Sequence, residues 1–283
     1  MAYKSIVAVA SGQDSDAQVF RAAASLASQH AAHARVLPAY PDPAADLVAY
    51  GAAMEGVSGA VIERVHQGER PQQEKLENRL ADAAASAGIP YGYKLDGASI
   101  EAQTRALMPS KAIAEAAVLA DLLMFSGDAA RGPLSGLFAE ALLEARAPIL
   151  VVNDDQFSVG AVAVAWDASP QAGRAARAAL PLLAVAEEVV VLQNVSDPGA
   201  DLKAATSDAF GAYLARHGVK RVRRLAVEGD NVAESLLRGA HEARCGTLVA
   251  GAFGRPRLYE LALGGTTRAL VHAKDRLHLF LAH

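Results

Sequence analysis

At 283 residues the chain suits two α/β domains of about 140 residues each better than one. Hydrophobic residues make up 52% and aromatics only 5%, a mix that favours aliphatic strands under closely packed alanine-rich helices. A formal net charge of −4, with Arg221, Arg223 and Arg224 as the densest basic cluster, argues against a nucleic-acid partner.

The amino-terminal apolar run, Ser5–Ala10 (SIVAVA), ends at Ser11 and Gly12. It is too short for a signal peptide or a membrane span and predicts a first strand. An alanine-rich helix is expected over Asp16–Ala31, with Val19, Ala23, Leu26 and Ala27 on one face and with His30 and His33 placed on the same helix. A strand over Ala34–Tyr40 follows, then Ala44–Gln73, which includes an amphipathic stretch near Val57–Val65. Strands over Ala120–Ser126 and Pro148–Asn153 complete the first half.

The second half repeats this order. A strand at Gly160–Trp166 leads to a helix over Pro170–Ala186 and a strand at Glu188–Val195. A helix then starts at Asn231, where Glu234 makes a capping box. Strands at Gly246–Gly251 and Leu277–His283 close the copy. Ser15 aligns with Ser169 and Leu123 with Leu248, so the first copy holds roughly 29 extra residues between these points, assigned to 44–73 as a surface excursion or a cap. The expected architecture is α/β: two tandem doubly wound parallel-sheet domains, Rossmann-like and five-stranded, over 1–155 and 160–283, with 156–159 as linker.

After the strand at Gly246–Gly251 come Gly251-Ala-Phe-Gly254, nine further residues, and Gly264-Gly265-Thr266-Thr267 opening a helix. Glycines let a backbone approach a phosphate, and the free amides and dipole of a helix start attract an anion; threonine hydroxyls add donors. Arg255 and Arg257 lie inside the loop as phosphate ligands or solvated side chains. No Gly-Lys-Ser/Thr occurs, and the glycines follow the wrong strand for a dinucleotide fingerprint. Gly132-Pro-Leu-Ser135-Gly136 lacks the first glycine of a nucleophile elbow, the histidines converge on no metal set, and no nucleophile, base and acid can be matched, so dedicated catalysis and a metal centre are not expected. A single cysteine, Cys245, excludes an internal disulfide and fits a reducing compartment.

The spacing Gly251-x2-Gly254-x9-Gly264, together with Asp167-Ala-Ser169, Ala120-Asp121-Leu122 and Pro148–Val152, resembles the universal stress protein family over essentially the whole chain outside the insertion. The resemblance implies ATP, with or without Mg²⁺, bound in the second copy by Asp167, Val195, Gly251, Gly254, Gly264, Gly265, Thr266 and Thr267. Asp167 would meet the nucleoside or help hold a metal, unless it serves only as an Asx-turn, and Val195 would border the base, unless it is only core. The glycines likewise have a purely structural alternative. Two departures are visible: Gly265 stands where a Ser or Thr is usual, and in the first copy Ser126 and Ala129 replace Gly251 and Gly254. The first copy is therefore expected not to bind ATP.

A cytoplasmic stress-response regulator with at most slow ATP hydrolysis is implied, the alternative being a scaffold or interaction module without nucleotide. Members of the family pair through their last strands. The resemblance therefore implies a homo-oligomer or an intramolecular pseudo-dimer in which Pro148–Asn153 faces Leu277–His283, with a further, unidentified protein partner and no membrane association.

Overall fold

The computed structural model describes residues 2–40, 59–106, 108–196, 200–252 and 265–283, with side chains described outside 59–69 and 200–206. Contacts divide the chain into two compact units, Ala2–Ala141 and Leu142–His283.

In the first unit, strands β1 (Ser5–Ala10), β2 (His33–Pro38), β3 (Ser99–Ala102) and β4 (Leu122–Ser126) lie in the order β3-β2-β1-β4, all parallel. β1 and β4 are buried almost throughout, as apolar runs without alternation demand. Helix α1 (Asp16–His30) buries Val19, Ala23, Leu26 and Ala27, so its alanines admit close packing on the sheet. It ends at Ala31 in the left-handed conformation (φ 49°), where the Ala32 amide returns to the Ala27 carbonyl. His33 therefore falls on β2 and not on the helix, a correction imposed by this cap. Helix α2 (Gly59–Ser86) runs 28 residues and contains Pro71. The part of the expected excursion at 44–58 lies outside the described residues. Helices α3 (Pro109–Ala117), α4 (Gly127–Arg131) and α5 (Ser135–Leu143) follow. Phe125 on β4 meets Phe138 on α5 edge-on, ring centroids 5.7 Å apart. Each such buried side chain contributes roughly 1.5–3 kcal/mol relative to exposure.

The second unit contains β5 (Ile149–Val152), β6 (Ala161–Ala165), β7 (Glu188–Asn194), β8 (Val222–Val227), β9 (Thr247–Gly251) and β10 (His278–Ala282), in the order β5-β10-β9-β6-β7-β8. Five of these strands run parallel; β5 pairs antiparallel with β10, Leu150 opposite Phe280. Asn153 fixes the end of this pairing, donating its backbone N–H to His278 Nδ1 (3.2 Å) and its side-chain N–H to the Leu277 carbonyl (2.7 Å). The expected single helix over Pro170–Ala186 is instead two, α6 (Pro170–Ala178) and α7 (Leu180–Val185). Pro181 lacks an N–H for the Arg177 carbonyl, so the helix breaks at Ala179. Helices α8 (Ala200–Arg216), α9 (Val232–Glu242) and α10 (Gly265–His272) complete the unit. At the start of α9, Asn231 Oδ1 accepts the Glu234 amide at 3.3 Å, the first half of the expected capping box.

Candidate functional site

Chain order reverses between β6 and β9. β6 leads to β7 on one side, while β9 pairs with β6 on the other, Val164 opposite Val249. A crevice outside the carboxyl ends of such strands is the usual ligand position of an open parallel sheet.

Asp167 stands just past β6 and is exposed; its Oδ1 accepts the Ser169 amide at 2.9 Å, an Asx-turn. Ala168 between them is held left-handed at φ 60°, a conformation that costs a non-glycine residue about 1–2 kcal/mol. Ser169 Oγ then accepts the Ala172 amide at 3.1 Å and caps α6. Gly251 ends β9 against that same first turn. A Cβ built there would lie 2.6 Å from both the Ala172 nitrogen and the Gln171 carbonyl carbon, so any side chain would displace backbone. Packing alone thus accounts for glycine at this position.

Ala252 next donates its amide to the Ala282 carbonyl (2.8 Å), while its own carbonyl contacts His283 Nδ1 (3.1 Å). Gly254, Arg255, Arg257 and Gly264 lie outside the described residues. α10 begins at Gly265; Thr266 is exposed, whereas Thr267 is buried. Val195 sits one residue past β7, 38% exposed, and donates its amide to the Val227 carbonyl at 3.0 Å.

Sequence reasoning missed a polar layer beside Asp167. The Trp166 indole stacks on Phe210 of α8, centroids 4.0 Å apart and planes 3° from parallel. Trp166 Nε1, Gln193 Nε2 and Ser207 Oγ are buried without a hydrogen-bond partner among the described residues. Leu192 lies opposite Ala165, so Gln193 follows in register with Trp166; Ser207 precedes Phe210 by one helical turn. The signal available in the sequence was the lone tryptophan at a strand end in an aromatic-poor chain.

The equivalent position in the first unit is built differently. Ser126 ends β4 and caps α4 at once, its Oγ accepting the Ala129 amide (3.1 Å) and the Ser15 hydroxyl (3.1 Å), so strand passes to helix with no intervening loop. Asp16, 2% exposed, accepts the Ser11 amide (3.0 Å), the Ser11 hydroxyl (2.7 Å) and the Gly12 amide (2.8 Å). Burial raises its pKa, against these hydrogen bonds and the charge of Arg79. Cys245 is buried and its thiol is pushed up to about 11, which leaves it unreactive. Among the described residues no group of three His, Cys, Asp or Glu side chains is placed to hold a metal, and no helix is long and apolar enough to cross a membrane.

A crystal structure of a universal stress protein from Archaeoglobus fulgidus DSM 4304 superposes with a TM-score of 0.69 at 16% identity, covering 98% of this chain and 97% of that one. The chain has the universal stress protein fold. A second similar structure, a functionally unknown protein from Pseudomonas aeruginosa PAO1, gives a TM-score of 0.55 at 14% identity over 99% and 92% of the two chains. No protein-family model matches the sequence, and no curated protein matches it. The universal stress protein fold thus persists here at sequence identities where likeness is confined to architecture.

Proposed function

We propose that the chain is a universal-stress-type regulator that binds ATP, with or without Mg²⁺, in its second unit, hydrolyses it slowly at most, and acts in the cytoplasm through occupancy. The observation that carries this reading is the convergence of Asp167 and Gly251 on the carboxyl ends of β6 and β9, where strand order reverses. The strained Ala168 supports it, because left-handed non-glycine residues concentrate at ligand sites. Gly264, Gly265 and Thr266 would meet the phosphates, and Val195 and the Trp166 layer would border the nucleoside side. A second reading, a scaffold without nucleotide, is favoured by the packing reason for Gly251 and the Asx-turn of Asp167, neither of which needs a ligand.

Trp166 is the one tryptophan of the chain and adjoins Asp167, so its emission reports on this site. ATP added to nucleotide-stripped protein is expected to change that emission saturably, with affinity at least tenfold weaker in Asp167→Ala. No saturable change, or one indifferent to the substitution, contradicts the reading.

A further inference from the structure

The first unit carries a cavity of about 80 Å³ on the flank of its sheet, between the carboxyl ends of β1 and β2 and the helices α1 and α2. Asp16 and Phe20 of α1, Tyr40 beyond β2, and Lys75, Leu76 and Arg79 of α2 line it. The α2 contributors recur at helical spacing, which directs one face of that helix at the cavity. Phe20, Leu76 and Tyr40 are buried and make an apolar wall.

The wall is fixed in place. Gly12 adopts φ 80°, and a Cβ there would come within 2.9 Å of Tyr40 Cβ, so glycine lets the tyrosine close on the β1 turn. From behind, the buried Arg105 donates Nε–H to the Tyr40 carbonyl at 3.1 Å, its guanidinium carbon 5.7 Å from the tyrosine ring centroid.

Two cations, Lys75 and Arg79, share the lining with one carboxylate, Asp16, whose charge Arg79 offsets in part. Asp16 already accepts three hydrogen bonds from the β1 turn. Arg79 contacts Asp14 Oδ1 at 3.0 Å, but the Asp14 side chain is 99% exposed, and an ion pair so placed is worth at most about 1 kcal/mol and is readily exchanged. Lys75 has no ion-pair partner among the described residues. A cavity of about 80 Å³ has space for several waters or for a compact group.

We infer that the first unit binds a compact oxyanion, a small carboxylate or a phosphate group, gripped by Lys75 and Arg79 of α2 and seated on Phe20, Leu76 and Tyr40. This site is independent of nucleotide in the second unit. It gives the long helix of the first copy a ligand of its own.

Calorimetric titration of the full-length protein at constant ionic strength, once with malonate and once with inorganic phosphate, tests the inference. At least one anion is expected to saturate a single site; malonate alone identifies a carboxylate ligand and phosphate alone a phosphoryl group. A Lys75→Gln, Arg79→Gln double variant, checked for folding by circular dichroism, is expected to weaken binding at least tenfold. Lys75→Gln alone, at an exposed position, should give an intermediate loss, and Asp167→Ala none. Saturation by neither anion, or affinity unchanged in the lysine variant, overturns the inference.

Discussion

The two units place the same strands around the same reversal of chain order and finish them in opposite ways. In the first, β4 runs straight into α4 through the cap of Ser126, whose hydroxyl also receives that of Ser15, and the carboxylate near the turn, Asp16, is buried and committed to Ser11 and Gly12. In the second, β9 ends on a bare glycine against α6, the carboxylate, Asp167, is exposed, and the turn between them holds a strained alanine. The first copy commits the carboxylate and the strand end to internal hydrogen bonds, while the second leaves its carboxylate exposed beside a tightly packed glycine. Equivalent strand ends of one fold are thus finished in different ways. A few residues at two strand ends decide.

Substitution at those strand ends should expose this difference most strongly. Gly251→Ala would drive a methyl into the first turn of α6 and is expected to cost about 3 kcal/mol in urea unfolding. Asp16→Ala would leave the Ser11 and Gly12 donors unsatisfied and should cost about 2 kcal/mol, against a few tenths for Asp167→Ala by the same measurement. Equal effects at the two aspartates would erase the contrast drawn between buried and exposed carboxylates.

The loss of one helix cap is smaller. Ser126→Ala is expected to cost about 1 kcal/mol. Ala168→Gly runs the other way, relieving the left-handed strain at an entropic cost in the unfolded chain, for a net gain of about 0.5 kcal/mol. A loss of stability in that variant would show that Ala168 carries no strain.

The central strands were legible because β1, β4, β9 and β10 are apolar runs buried on both faces. Edge strands were not. β3 is four residues long, and β8 reads as a basic cluster because Arg223 and Arg224 project from an exposed edge to Glu188 and Asp208. Pro71 and Pro181 show why local signals mislead in both directions: a helix passes through the first and breaks beside the second. The Asp167 turn and the glycine ending β9 could be read from the chain because both lie directly at the end of a predicted strand. The Trp166–Phe210 stack and the cavity under α2 could not, since both join residues far apart in sequence whose proximity only the packed helices create.

The smallest expected effect concerns the end of the β5–β10 pairing. Burial lowers the pKa of His278, whose Nδ1 accepts the Asn153 amide, so the unfolded chain binds the proton more readily than the folded one. Stability should level off above about pH 6.5 and fall as pH drops below it, less steeply in His278→Gln; His30 and His33, shifted in the same direction, keep the slope from vanishing.

The divergence of the two copies is tested most directly by calorimetric titration of ATP and Mg²⁺ into nucleotide-stripped full-length protein and its Gly264→Val variant. One site per chain in the wild type, abolished by the substitution, is the predicted result. Two sites per chain, none, or binding that survives Gly264→Val would contradict a single nucleotide site in the second unit.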